Sequence, residues 1–438
     1  MYFKGYNIYD LNYEHCSKKL NLLELPKGNL PKKGILLRII GLLVSVIKKE
    51  RQNKSKKNVK VNTNANVFFV ISKNEMDSIK PIASRMENYF LLGNDSFENG
   101  FPMKKIYWKS ILFIPIVFLE YLKCTNNYHK ESFRYAFDNF CLSYSAISIL
   151  PKYLKKINPN QIIISNHTYF LHRILIQAAK TTNITTIYIQ HSAINEKFPS
   201  LNGISKALLE GNDSLIKYQM AGTEDVEIYI IGMPKFDQYF KDIKNDKILR
   251  NIAICTNGID RIDFFENLII LLKKRYCNYN FFLRPHIADR RLDKWMQIAN
   301  NNKIEFSSSE KENAFDFLKK IDLLIAGESS IHLEAVLCNV TSIFLDSNAK
   351  EIDWYGFFKN GLVYKTSNIS DVIRLIDKFS FKLESVRHKA VFFIDTINTK
   401  FDGKSSDIAV KILEKSTDLD LCFTKIQDKN KNIINHLK

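Results

Sequence analysis

The segment Asp322-Leu323-Leu324-Ile325-Ala326-Gly327-Glu328-Ser329-Ser330-Ile331-His332-Leu333-Glu334-Ala335 sets an apolar run, a glycine and a hydroxyl pair in an order suited to holding phosphate. The apolar residues predict a buried parallel strand. Gly327 predicts a turn, after which Ser329 and Ser330 fall where the first N–H groups of a helix lack partners and attract anions. Glu334 lies one helical turn beyond Ser330, where a carboxylate can accept bonds from ribose hydroxyls. The plainer alternative is an N-capping serine pair followed by a solvated glutamate.

Other polar clusters also follow apolar runs. Arg284-Pro285-His286 comes after Asn280 to Leu283. Its guanidinium suits two-pronged phosphate binding, and its imidazole can donate to phosphate or move a proton. Gln190-His191-Ser192 follows Ile187 to Ile189, and Asn166-His167 follows Ile162 to Ser165. A neutral histidine beside an acceptor hydroxyl is the usual general base near pH 7. His191 is the first candidate for that role, with His167 and Asp260 behind it. In Asn257-Gly258-Ile259-Asp260 the glycine lets backbone N–H groups approach a phosphate or a base. Gly232-Met233-Pro234-Lys235-Phe236-Asp237 closes another strand and is either a turn or part of the same cleft.

Strand and helix patterns alternate from residue 66 onward, which favours parallel sheets covered on both faces. The expected fold is α/β, with two Rossmann-like parallel-sheet domains facing a cleft and added N-terminal and C-terminal helices. The expected boundaries are an N-terminal helical and basic segment (1–65), an acceptor domain (66–240), a nucleotide-donor domain (241–370) and C-terminal helices with a basic tail (371–438). Leu215 to Met220 is expected as a strand, and the tail from Lys425 as frayed.

At 438 residues the chain exceeds the size at which single cores stop growing. A charged fraction of 25% and a hydrophobic fraction of 45% argue against general disorder. The net charge of +18, from 64 basic and 46 acidic residues, favours an anionic partner without choosing among nucleotide, phospholipid and nucleic acid. Basic and aromatic residues are not interleaved as a nucleic-acid surface requires, so no nucleic acid is expected. The seven cysteines show no C-x-x-C spacing, which argues against a disulfide framework or a zinc site and suits a reducing cytoplasm. No metal or cofactor is expected: the chain has no G-x-G-x-x-G and no G-x-x-x-x-G-K-[ST] motif, and no Asp-x-Asp follows any of the predicted strands. No export signal is read at the N-terminus. Gly34 to Ile47 is almost wholly apolar, but as a helix its 14 residues reach only about 21 Å, short of a bilayer core. With Arg38 inside it and Lys54, Lys56, Lys57 and Lys60 beyond, it suits either a helix on an anionic leaflet or a buried helix followed by a linker.

The order Gln190-His191-Ser192, Gly232-Met233-Pro234 with Asp237, Arg284-Pro285-His286, and Gly327-Glu328-Ser329-Ser330 with Glu334 resembles the two-domain GT-B glycosyltransferases that build bacterial surface polymers. It is most similar to the CDP-glycerol glycerophosphotransferases and the CMP-Kdo and CMP-sialic acid transferases, over about residues 160 to 345. The resemblance implies a catalytic role for His191 and donor binding by Arg284, His286, Ser329 and Ser330. It implies transfer from a nucleotide-activated donor to a glycan or lipid-linked acceptor, in the cytoplasm or at the inner face of the plasma membrane. Ser192 stands where those enzymes have Gly, Pro285 precedes His286, Ile287 replaces a Pro, and Glu334 resembles the ribose-binding Glu of UDP-sugar enzymes. UDP-GlcNAc 2-epimerases share a similar Gly-x-Pro-x-x-Asp segment, so an isomerase is the first alternative, and a non-enzymatic membrane- or nucleic-acid-binding protein the second.

Overall fold

Runs of β-branched and aromatic residues supply the strands, because such side chains fill a pleated surface covered on both sides. A computed structural model describes residues 1–17, 34–52, 64–93, 101–243, 248–351, 353–415, 423–427 and 433–437. Lys54, Lys56, Lys57 and Lys60 lie outside the described residues, as do Lys32, Lys33 and Cys422.

A two-stranded ribbon, β1 (Tyr2–Phe3) and β2 (Tyr6–Asn7), opens the chain. The next strands are β3 (Asn66–Val70), β4 (Tyr89–Gly93), β5 (Gln161–Ile164), β6 (Thr185–Ile189), β7 (Lys206–Leu209) and β8 (Glu227–Ile230). These pair in parallel in the order β4-β3-β5-β6-β7-β8. A second sheet follows from β9 (Asn251–Thr256), β10 (Asn280–Pro285), β11 (Glu305–Phe306), β12 (Leu323–Ala326), β13 (Thr341–Leu345) and β14 (Tyr364–Thr366). It is also parallel, in the order β11-β10-β9-β12-β13-β14.

Alternate residues of each strand serve opposite cores, as the period of two requires. In the first sheet Val67, Phe69, Ile162 and Ile164 pack towards the long helix Asn127–Ile157 and the helix Phe170–Thr181. Phe68, Val70, Ile163 and Ile187 pack instead with Ile79 of helix Lys73–Ala83 and with Ile408 and Ile412 of helix Ser405–Leu413. The second sheet meets Phe265 of helix Ile262–Arg275 and Ile376 of helix Ile369–Phe381 on one face. On the other it meets helix Ile331–Leu337 together with Met233, Phe236 and Tyr239, which follow β8.

Two expectations are corrected. Leu215 to Met220 lies within a helix, Asn212–Ala221, which buries Leu215 and Tyr218, and the strand beside β8 is Lys206–Leu209. The chain end is ordered where described: β15 (Phe423–Gln427) and β16 (Ile433–Leu437) extend the first sheet, β16 pairing parallel with β8 and antiparallel with β15. Lys425 thus lies in a strand.

Residues 369–381 cover the second sheet, whereas 405–413 return to the first. A small set of contacts fixes that return. Asp237 accepts bonds from the Ser405 and Ser406 N–H groups at 3.1 and 2.6 Å, capping helix Ser405–Leu413. Gly232 has φ +80°, and a Cβ there would lie 2.4 Å from Thr396 Oγ1. Arg387 grips both oxygens of Asp402 at 2.7 and 2.6 Å.

Among the described residues no helix is long and apolar enough to cross a membrane. Helix Ile35–Gln52 buries Leu42 and Val46, and Arg38 meets Asp138 at 2.9 Å on the long helix. Because Asp237 meets two otherwise orphaned N–H groups, Asp237→Ala should cost about 1–2 kcal/mol in chemical denaturation, and Asp237→Asn should restore most of it.

Candidate functional site

Both sheets reverse their strand order at a point beside an early strand: between β3 and β5 in the first, between β9 and β12 in the second. In open parallel sheets the crevice for a ligand lies there, outside the carboxyl ends of the strands.

At the first crevice Glu75 opens helix Lys73–Ala83 and is almost wholly enclosed. Its carboxylate accepts from Ile71 N at 2.9 Å and from Asn166 Nδ2 at 3.4 Å, and lies 3.2 Å from His172 Nε2. Burial alone would raise its pKa, but His172 and the Ile71 N–H hold it below the usual carboxylate value. His191 follows β6 and is part-buried. Burial pushes its imidazole down to about 4, against the pull of Glu75 and with the push of Lys235. It is neutral near pH 7.

Glu210 follows β7. Gln190 reads it twice: Gln190 Nε2 donates to Glu210 Oε2 at 3.1 Å, and Glu210 N donates to Gln190 Oε1 at 3.0 Å. Burial raises the Glu210 carboxyl to about 8 although Lys235 pulls it down. Lys235, just after β8, donates to Glu334 Oε1 at 2.5 Å and joins the two halves. Burial lowers the lysine's pKa, yet Glu334 and Glu210 together keep it above the usual value.

On the second sheet the loops after β9 and β12 are sewn together. Asn257 Nδ2 donates to Glu328 O at 2.7 Å, and Asn257 N donates to Asp260 Oδ2 at 2.8 Å. Gly327 is required by close approach, since a Cβ there would sit 2.1 Å from Asp260 Oδ1. His332 is wholly inside, between Ser342 Oγ at 2.6 Å and Gly327 O at 2.9 Å, and fixes the same turn.

Enclosed polar atoms without a hydrogen-bond partner include Ser165 Oγ, His191 Nδ1, Glu210 Oε1 and Thr256 Oγ1 at or just after strand ends, and His172 Nδ1 in the helix that follows β5. Others, such as Tyr153 Oη and Thr341 Oγ1, lie elsewhere. Each such group costs about 1–3 kcal/mol of stability.

The candidates named from the sequence divide as follows. Lys235 acts on His191 through space and meets Glu334 by direct contact. Arg284 and His286 also feel Glu334. Arg284 is buried, however, donating to Ser307 Oγ at 2.6 Å and Glu312 O at 2.8 Å, with its guanidinium 4.9 Å from the centre of the Phe317 ring. It braces the loop after β11. His286 is exposed at the sheet edge, its N–H on Thr256 O at 2.7 Å. Ser330 makes no side-chain cap bond, and Ser329 Oγ accepts from Ile331 N at 3.4 Å. Gly258 sits in the 257–260 turn, where Asn257 Oδ1 accepts from Ile259 N at 2.9 Å. Asp260 faces Asn257, Gly327 and Arg291, and burial raises its carboxyl to about 7. His167 is shut between the Tyr188 and Tyr218 rings, Nε2 3.3 Å from Pro199 O, and burial lowers it to about 3.

Sequence reasoning passed over Glu75, His172 and Glu210, and named Lys235 only within the Gly232–Asp237 segment, without a role of its own. Glu210 carried a signal, a carboxylate directly after the apolar Ala207-Leu208-Leu209 and before a glycine. Glu75 and His172 carried none, since each sits inside a helix.

No protein-family model and no curated protein sequence matches the chain. Solved structures do. UDP-GlcNAc 2-epimerase from Neisseria meningitidis bound to UDP-GlcNAc superposes with a TM-score of 0.52 at 13% identity, covering 81% of this chain and 100% of that one. The wall teichoic acid polymerase TagF gives 0.50 at 14% identity, with 88% and 98% covered. The S. aureus MnaA–UDP structure gives 0.50 at 11%, with 84% and 99% covered. The chain has the two-sheet GT-B fold that these neighbours share.

The raised Glu210 carboxyl gives a signed pH effect. The folded protein holds its proton up to about 8, whereas the unfolded chain releases it near 4.5, so this group's share of stability falls as pH rises between those values. Glu210→Gln should therefore match the wild type near pH 5 and melt at higher temperature above pH 8 in a calorimetric series.

Proposed function

We propose that this protein is a glycosyltransferase that moves a sugar from a nucleotide donor, CMP- or CDP-linked, to a hydroxyl of a growing capsule, lipopolysaccharide or teichoic-type glycan, without a metal ion. The observation that carries this is the Lys235–Glu334 pair, which brings His191 and Glu210 of the first sheet into one electrostatic cluster with the strand-end groups of the second. The fold shared with nucleotide-sugar enzymes and with TagF supports it.

The donor nucleotide lies against the turns at 257–258 and 327–330, with His286, Ser329 and Ser330 on its phosphates. Glu334 is available to ribose hydroxyls when Lys235 turns to the phosphate. Arg284 holds the neighbouring loop and adds its charge through space. His191, neutral at rest, takes the acceptor hydroxyl's proton as that oxygen attacks the sugar's anomeric carbon, and the nucleotide leaves as an anion beside Lys235. Anionic donor binding raises the His191 pKa towards the working range, and Glu75 stabilises the imidazolium that forms. Direct attack inverts the anomeric centre. Asp260 and His167 keep structural roles in this scheme. The work takes place in the cytoplasm, at the inner membrane face where a lipid-linked acceptor would lie.

A thermal-shift panel of CMP, CDP, UDP and GDP tests the donor site, since a ligand bound only to the folded state raises its melting temperature. At least one should stabilise the wild type, and His286→Ala with Ser330→Ala should remove most of that shift. His191→Ala should keep the shift and lose about 100- to 10,000-fold in turnover. If no nucleotide shifts the melt, the donor site is wrong. Epimerisation of UDP-GlcNAc without acceptor would replace transfer by isomerisation.

A further inference from the structure

Helix Ile35–Gln52 is apolar well beyond its buried face. Ile35, Ile39 and Leu42 turn inward onto the protein core, and Val46 is buried on the same stripe. Leu36, Ile40, Leu43 and Ile47 run in a line about 100° around the helix from that face, with Leu36 70% and Ile47 54% exposed and Leu37 and Val44 exposed beyond them. An ordinary surface helix carries charged or polar residues there.

A second exposed stripe lies beside it. Residues 103–123 form a helix, a single 3₁₀ turn and another helix, and they expose Trp108, Leu112, Leu119 and Leu122, with Leu112 at 71%. Two anchors show that the stripes are neighbours. At one end Gly34 N donates to Arg134 O at 3.0 Å on the long helix, and Arg134 Nε donates to Tyr121 Oη at 3.4 Å. At the other end the Lys49 ammonium lies 5.8 Å from the Tyr107 ring centre. The two segments therefore run side by side in opposite directions over the long helix. Both expose apolar side chains, and the helix at 103–110 lies directly against helix Ile35–Gln52.

Lys48, Lys105 and Lys123 are exposed around this face, and Lys109 is part-exposed. Glu120 is a nearby carboxylate, and Arg38 is spent on Asp138. We propose that this face lies in the interfacial layer of an anionic phospholipid bilayer, both helices parallel to the membrane plane, with the lysines on lipid phosphates. The charge selects lipid over a second copy of this chain, because self-association would bring like-charged rims together. The helix is too short to cross, so it lies in the plane. This surface stands independently of the nucleotide site.

The test is co-sedimentation of the full chain with vesicles of phosphatidylcholine alone or with about one-third phosphatidylglycerol. Binding should be at least about tenfold tighter to the anionic vesicles and fall steeply in high salt. Trp108 emission should shift to the blue and be quenched by brominated lipid, a response that Trp108→Phe removes. Leu36→Glu with Leu112→Glu should weaken binding by about tenfold or more without changing the melt or any nucleotide-induced shift. Should that variant fail to fold, replacing Lys48, Lys105, Lys109 and Lys123 by Gln tests the charged half and should cost about as much. Equal binding to both vesicle types, no binding, or unaltered binding by the variants overturns the proposal. So does a lipid-free dimer in light scattering that Leu36→Glu dissociates, which would assign the face to a second copy.

Discussion

One ammonium–carboxylate contact, Lys235 to Glu334, organises the cleft. Its partners come from the turn after β8 of the first sheet and from a short helix on the second. Both side chains are mostly out of water, at 17% and 14% exposure, so removing either would leave an ill-solvated charge on the other. The same lysine sets the environment of His191 and Glu210, pushing the first towards neutrality and opposing the burial that protonates the second. A charge brought by a ligand would be felt by all of them together.

That arrangement depends on how the two sheets are held. Met233, Phe236 and Tyr239 bury themselves against the second sheet directly after β8 leaves the first. The returning segment from Arg387 to Leu413 then crosses back, fixed by the Arg387–Asp402 pair and by Asp237 at the start of its helix. Chain passes between the halves twice, and Lys217 adds a third tie by donating to Ile194 O at 2.9 Å and Tyr355 O at 2.8 Å. The Gly-x-Pro-x-x-Asp segment is thus half structural, its Asp capping a helix, while the Lys within it serves the cleft.

The positive charge of the chain divides between two settings with different physics. In the cleft single cations are enclosed and paired, so each shifts the protonation of its neighbours. Along the outer helices the lysines are exposed, and their individual contacts are screened by salt.

Sequence alone determined the strands whose interiors are unbroken apolar runs, β3, β5, β6, β9, β10, β12 and β13, because a strand covered on both faces must be apolar at every position. It also marked the residues that follow them, including His191, Arg284, Gly327 and Glu334. It misassigned Leu215 to Met220, since a short apolar run fits helix and strand equally and only packing of Tyr218 decides. Tertiary structure alone decided that His167 is enclosed by aromatic rings, that Arg284 braces a loop, that Gly327 makes room for Asp260, and that Glu75, His172, Glu210 and Lys235 join the cluster. The reason is that burial and through-space charge belong to pairs of residues far apart in the chain. Periodicity reports only what is near in sequence.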